Sequence, residues 1–335
     1  MKFAALGRTQ WLYEAVRLAI ARGHKPVLIG TCASAPEYKV READFERLAL
    51  ELRCPFFIDA RINDEKYLQL AHSSGAAIAL SVNWPTLIGA DMIGAFPLGI
   101  LNAHAGDLPR YRGNACPNWA ILAGENHVGA CVHLMVPELD AGPIVIKSRF
   151  PLTENTYIGD VYAFLDQEFP RLLVAGMEGL ASGALKPDPQ SEDPRLTLRC
   201  FPRRPEDGLI DWTQPAELIC RLVRASSRPF GGAFTFHDEQ RLTIWRAQTE
   251  RLVYPCMGVP GQVIRIEHDS GRVAVLAGRD AVILEETELE GVAGVPAKLI
   301  RSTRTRLGLN PVLTLANLRK KTEQAPGATG RPPAN

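Results

Sequence analysis

The sequence predicts an α/β domain with a mostly parallel, Rossmann-like sheet, followed by a small OB-like β-barrel domain. Three observations predict this. In the first half, short apolar runs alternate with segments of helical period, the rhythm of a parallel sheet covered by helices. Near residue 183 that rhythm gives way to a stretch dense in proline and charge. Beyond it come short apolar runs at close spacing, as in small barrels and sandwiches. With 335 residues, 46% of them hydrophobic, the chain is long enough to bury a core in each of two domains.

Taken in order, KFAALG, PVLIG, PFFID and AAIALSV read as buried strands, with helices near 10–22, 40–52 and 62–72 between them. LGILNAH is a further strand and ACPNWAILAGE a helix after it. VGACVHLMV and PIVIKSRFPL form a strand pair around the turn PELDAGP, and a helix over about 156–183, broken at Pro170, closes the domain. Residues 183–208 read as a linker, with the domain boundary at 203/204. In the second domain, 204–310, GLIDW, GGAFTF, RLTIWRAQ, GQVIRI, RVAVL, AVILEE and AKLIRS read as strands, with one helix near 215–225. Residues 311–335 have the composition of a disordered tail.

Composition excludes several classes. Thirty-eight basic against thirty-seven acidic residues leave no global field for nucleic acid or an anionic membrane. Seven scattered cysteines without a Cys-x-x-Cys pair argue for reduced thiols rather than a disulfide framework or a zinc site, and no metal is expected. The opening MKFAALG lacks the long apolar segment of an export signal, so a cytoplasmic location is expected. The uncharged run from Tyr67 to Ala90 contains His72, Asn83 and Pro85, which suit a helix end, a strand and a turn better than a membrane span. Gly7 stands alone where a dinucleotide fingerprint needs three spaced glycines, and no phosphate-binding GxxxxGK[ST] loop occurs. His133, alternating with Cys131 and Met135, is expected to line a strand face rather than bind metal.

The chemistry-bearing segment is LNAHAGDLPRYRGNACPNWAI, residues 101–121. Alternation along a strand puts Asn102 and His104 on one face, at the carboxyl end where open α/β sheets bind ligands. By spacing alone they serve equally as hydrogen-bond partners of the following loop. Asp140, in PELDAGPI, is by itself a turn residue. If that turn folds back over the strand end, its carboxylate meets His104, fixes the tautomer and raises its basicity. Asn102 is then left to donate to a developing oxyanion. An amide donor, a proton carrier and an orienting carboxylate suit acyl transfer to an amine.

The run NAHAGDLPRYRGNACPNWAILAGENHVGACVHLMVPELDAGPIV resembles the folate-dependent formyltransferases, in which Asn-x-His, a Leu-Pro-x-x-Arg-Gly loop and a Leu-Asp-x-Gly turn recur in this order. The resemblance extends from KFAALG to about Asn310, including RRPEDGLIDW and SRPFGGAFTF. It implies a formyltransferase fold, N10-formyltetrahydrofolate as formyl donor, and Asn102, His104 and Asp140 as the catalytic trio. In the mechanism expected, the neutral amine attacks the N10-formyl carbon directly, Asn102 and protonated His104 stabilise the tetrahedral oxyanion, and Asp140 orients His104 and helps take up the amine proton. It also implies that main-chain groups of Asn83, Trp84, Pro85, Thr86 and Leu87, and of Pro137, Glu138 and Leu139 leading to Asp140, hold the pterin. Without the resemblance, NWPTLI is a turn with a packed tryptophan.

For the acceptor, the second domain carries thirteen basic and thirteen acidic residues between Asp207 and Asn310, which weakens a tRNA-binding role. LPRYRGNACPNWAI and RCFPRRPEDGLIDW resemble the sugar-nucleotide formyltransferase domain of a bifunctional polymyxin-resistance enzyme more than methionyl-tRNA formyltransferase. That implies a nucleotide-linked amino sugar of the UDP-4-amino-4-deoxy-arabinose type. Its diphosphate would meet Arg112, Arg203 or Arg204, arginines that otherwise read as solvated, and Gly113 is expected among the substrate-binding residues with them. Gly106 and Asp107 depart from the Ser and Leu usual after the histidine, and Asp107 is a candidate to bind a cationic amine or to face solvent. A folate-binding relative without transferase activity is the reading from another class.

Overall fold

The computed structural model describes residues 1–35, 38–254 and 256–309, together with Leu315 and Arg319; the expectation for 311–335 falls almost wholly outside these. The chain forms two compact units, Met1–Arg203 and Arg204–Asn335.

In the first unit the elements run β1 (Lys2–Gly7), α1 (Gln10–Ala21), β2 (Lys25–Thr31), α2 (Glu42–Leu52), β3 (Phe56–Ile58), α3 (Glu65–Ser74), β4 (Ile78–Val82), α4 (Ala90–Gly94) and β5 (Ile100–His104). There follow β6 (Tyr111–Gly113), α5 (Cys116–Ala123), β7 (His127–Leu134), β8 (Ile144–Pro151), α6 (Ile158–Ser182) and β9 (Leu198–Cys200). The sheet order is β3-β2-β1-β4-β5-β7-β8. β1 to β5 are parallel, and β7 and β8 join antiparallel. β1, β4 and β5 are buried along nearly their whole length, which is why their sequences are mainly apolar without alternation, broken only by Ser81 in β4 and by Asn102 and His104 at the end of β5. The order reverses beside β1, which leaves β4 and β5 side by side with Ser81 opposite Asn102. From the other side β7 places His133 opposite Asn102 and Cys131 opposite His104.

Two expectations for this unit are corrected. The long helix is not broken at Pro170: α6 runs unbroken through it. An internal proline costs a hydrogen bond and a steric adjustment, about 3 kcal/mol. Burial of Val161, Leu165, Phe169, Leu172, Leu173 and Met177 on both sides of it offsets that cost, and Phe169 packs its ring 4.9 Å from that of Trp11. The stretch after α6 is not a bare linker either. Asp188 bridges Ile144 at the start of β8, and β9 pairs in parallel with β6, so residues 188–200 complete the first unit.

The second unit contains α7 (Ala216–Ser226), β10 (Ala233–His237), β11 (Gln240–Glu250), β12 (Val263–Glu267), β13 (Arg272–Leu276), β14 (Ala281–Leu289), β15 (Val292–Gly294) and α8 (Pro296–Leu299). Its strands form one antiparallel sheet, β10-β11-β14-β13-β12 with β15 on β14, a small barrel-like domain. GLIDW is not a strand: Leu209 makes a single bridge to Phe234, and Trp212 is tied instead by its indole N–H to Thr235 Oγ1 at 2.9 Å. AKLIRS is not a strand either. Pro296 at the first helical position, with its φ already suited, starts the short helix α8. Among the described residues no helix is long and apolar enough to cross a membrane, and the Tyr67–Ala90 run divides into most of α3, β4, turns and the first residue of α4.

Candidate active site

Asn102 and His104 emerge from the last three residues of β5 on one face, and both are buried. The Asp140 turn, between β7 and β8, folds back onto that face. The Asp140 carboxylate places Oδ2 at 3.5 Å from His104 Nδ1 and Oδ1 at 3.6 Å from His133 Nε2. The Gly113 amide donates to Oδ2 at 2.8 Å. Asp140 takes a left-handed φ of 49°, a conformation Asp tolerates better than most residues. Gly113 is needed where it is, because its φ is 105° and a Cβ there would sit 2.3 Å from the Cys200 carbonyl oxygen.

The tautomers follow from the partners. His104 Nε2 lies 2.6 Å from the Tyr111 carbonyl oxygen, which only accepts, so Nε2 carries the proton and Nδ1 is the basic nitrogen beside Asp140. Burial lowers the His104 pKa, outweighing the attraction of Asp140 and favouring the neutral ring. For Asp140, burial pushes the carboxyl upward, but the attraction of His104 and His133 once these rings are protonated in acid, together with the Gly113 N–H, outweighs it and holds the group well below the usual carboxylate range. His133 donates from Nδ1 to the Leu134 carbonyl at 2.9 Å, leaving Nε2 to accept from Asn102 Nδ2 at 3.1 Å. One amide hydrogen of Asn102 is thus used to orient it, and the second remains for an oxyanion.

His133 does line a strand face, as its position in the run suggested, yet it also belongs to this cluster, which spacing did not reveal. Cys116, at the start of α5, escaped the sequence reading too: its Sγ lies 3.8 Å from His104 Nε2. A hydrogen bond with Cys200, then burial, pushes the Cys116 thiol far up, so it stays protonated. The unusual Gly106 has a steric cause: a Cβ there would meet the Tyr111 oxygen at 2.3 Å and His104 Nε2 at 2.5 Å. Among the described residues no grouping of His, Cys, Asp and Glu is suited to a metal ion.

Asp107 neither faces solvent nor offers a free carboxylate to an amine. It is bound by His127 at 2.8 Å, Arg149 at 3.1 Å and Lys147 at 3.2 Å, all from β7 and β8. Arg112 is not simply solvated: its Nε and Nη2 donate to Gln190 Oε1 at 3.2 and 2.7 Å. Gly113 serves the carboxylate clamp. Arg203 lies over the Trp119 ring, 5.9 Å from its centroid. Arg204 belongs to the second unit, where its main-chain N–H is capped by Asp207.

The loop after β4 carries the residues assigned to the pterin. Asn83 has a φ of 53°, accepts from Arg8 Nε through its carbonyl at 2.9 Å, and donates from Nδ2 to the Tyr38 hydroxyl at 3.1 Å. Thr86 donates to the Ala60 carbonyl, and Pro85 and Leu87 are exposed. Asn63, unnoticed in the sequence, pins this loop by donating to the Leu87 carbonyl and accepting from Gly89 N–H. Trp84 packs on the core with its indole Nε1 buried and without a protein partner. A buried orphan donor fits a ligand acceptor arriving at this loop. Pro137 and Glu138 are exposed and Leu139 is partly so.

Residues 8–175 match the formyl transferase family and residues 203–303 its C-terminal domain. Among solved structures, HypX from Aquifex aeolicus in complex with tetrahydrofolic acid is 17% identical with a TM-score of 0.59, over 90% of this chain and 47% of HypX. The chain therefore spans about half the length of HypX. An N-formyltransferase from Helicobacter canadensis, in complex with folinic acid and dTDP-3-aminofucose, is 13% identical with a TM-score of 0.64, over 85% of this chain and 98% of that one. A sugar N-formyltransferase from a Shewanella species is 16% identical with a TM-score of 0.56, over 76% and 99%. These identities speak for the fold, while the family match speaks for kinship. The chain belongs to the formyl transferase family and carries both of the family's domains.

Proposed function

We propose that the protein transfers a formyl group from N10-formyltetrahydrofolate to the primary amine of a nucleotide-linked amino sugar, of the UDP-4-amino-4-deoxy-arabinose type. The observation that carries this reading is the division of labour at the end of β5. His104 has one nitrogen committed to Tyr111 and the other basic beside Asp140, and Asn102 keeps a spare amide hydrogen. When bound, the donor supplies an electrophilic formyl carbonyl, which the acceptor amine attacks directly. The negative charge that develops on the formyl oxygen is met by Asn102. The proton lost by the amine passes to His104 Nδ1, and Asp140 stabilises the imidazolium that results; as the bond from the formyl carbon to N10 breaks, the imidazolium returns a proton to the departing nitrogen and tetrahydrofolate leaves neutral. No covalent bond to the enzyme is required.

Support for the donor comes from the orphan Trp84 N–H and from the folate-type ligands named for the HypX and H. canadensis structures. Support for the acceptor class comes from the aminosugar nucleotide named for the latter and from Arg112 and Arg203 in the first unit, whose guanidinium groups suit a diphosphate. The balanced charge of residues 207–310 disfavours tRNA.

The experiment is to incubate the protein with the folate donor and a panel of UDP-, GDP- and dTDP-linked amino sugars, reading the mass gain of one formyl group. Product with a nucleotide sugar confirms the class. Formylation of methionyl initiator tRNA instead, or tight 5-formyltetrahydrofolate binding with no product from any amine, rejects it.

A further inference from the structure

We propose that Gln190 is a positioning residue for the Asp140–His104 pair, an amide clamp that holds the Asp140 turn and keeps Arg112 away from its carboxylate. The proposal rests on the trio acting as described above. Gln190 lies in the stretch after α6, two residues beyond Asp188. Asp188 is fixed by reciprocal main-chain bonds with Ile144 at 2.7 and 2.8 Å. From there its Nε2 donates to the Asp140 carbonyl at 2.8 Å and to the Gly142 carbonyl at 2.7 Å. Its Oε1 accepts both Arg112 bonds, so two donors and two acceptor sites are all occupied.

The chemistry of the position calls for an amide. A glutamate would still accept from Arg112, but it has nothing to donate and would set a negative charge against two carbonyl oxygens. A leucine of similar size would serve neither side. The Asp140 backbone is held in a conformation uncommon for residues other than glycine, and its carboxylate lies within reach of His104 only while that turn keeps its shape. Arg112 adjoins Gly113, whose N–H already reaches Asp140 Oδ2. Without Gln190, the natural alternative for the guanidinium is that same carboxylate, since a charge-assisted pair is stronger than a neutral one. Arg112 bound to Asp140 would take from His104 its counter-charge. Gln190 prevents this by offering Arg112 a neutral acceptor.

The test uses the full chain bearing Gln190→Leu or Gln190→Glu. With saturating donor and the best amine found, kcat is expected to fall on the order of 10- to 100-fold in both, as misplacement of a catalytic group by about an ångström does. On an Asp140→Asn background, Gln190→Leu is expected to cost less than about twofold more, because the two act through one step. The His104 ring nitrogens, followed by 15N NMR, are expected to titrate differently in both variants while the thermal midpoint shows them folded. This last readout needs no knowledge of the amine, so it tests the clamp even if the acceptor assignment fails. Activity retained in Gln190→Glu alone would show that only Arg112 matters. That result, additive losses with Asp140→Asn, or an unmoved His104 titration in a folded variant each overturns the proposal.

Discussion

The main-chain N–H of Gly113 donates to Asp140 Oδ2 at 2.8 Å, joining the loop after β5 to the turn between β7 and β8. The same oxygen faces His104, so one peptide group sets the position of the carboxylate relative to the imidazole. Replacing Gly113 by Ala forces a Cβ into 2.3 Å contact with the Cys200 carbonyl at a φ of 105°. We expect Gly113→Ala to lose roughly 1–3 kcal/mol of stability, as strained backbone positions do. Turnover should fall by more than this loss of folded protein explains. Urea unfolding together with kcat per folded molecule measures both.

His104→Ala and Asp140→Asn should each lower turnover by about 10²- to 10⁴-fold, the range for loss of a general base or of its partner. Far-ultraviolet circular dichroism should stay native in both. Turnover near wild type in either purified variant would remove the trio from the mechanism.

Acidification should weaken the fold in two stages. Burial holds folded His104 below the ordinary imidazole value of about 6.5, so on unfolding the ring gains a proton in the window just below that value. Its contribution is full above about pH 6.5 and is lost as pH falls toward the folded pKa. Asp140 is held below the ordinary carboxyl value of about 3.9. Its contribution is therefore full above that value and is lost as pH falls through the depressed one. Urea midpoints measured from pH 7.5 to 3.5 should fall over the upper window in the wild type and change less there in His104→Ala. Equal slopes in the two proteins would contradict the buried neutral ring.

Asp107 gathers His127, Lys147 and Arg149, and its carboxyl is held low by them against the opposing effect of burial. Asp107→Asn leaves three donors around a neutral acceptor and should cost roughly 1–3 kcal/mol, the range for hydrogen bonds to charged groups. If Asp107 serves only this latch, the KM for the amine should move less than about threefold. A large rise in that KM alone, with stability intact, would restore Asp107 to amine binding.

Much of the first domain could be read directly because parallel strands buried on both faces leave mainly apolar runs without alternation, as in β1 and β4. Short elements that depend on a distant partner could not. β6 and β9 are three residues each and exist because they pair with one another across more than eighty residues of chain. AKLIRS has the composition of a strand, and Pro296 with its local geometry makes it a turn of helix. Pro170 carries the local signal of a break, and the burial on either side of it overrides that signal.

The order Asn-x-His, Arg-Gly, Leu-Asp-x-Gly is a property of the chain, written in residue types whose chemistry is local, and so the family could be recognised, and a candidate trio named, before any coordinates. Which groups meet those three side chains is another matter, because hydrogen bonds and burial act through space over a few ångströms and take no account of separation along the chain. Folding alone brought His133 to Asn102, the Tyr111 carbonyl to His104 Nε2 and Gln190 to the Asp140 turn. It also enclosed Asp107 among His127, Lys147 and Arg149.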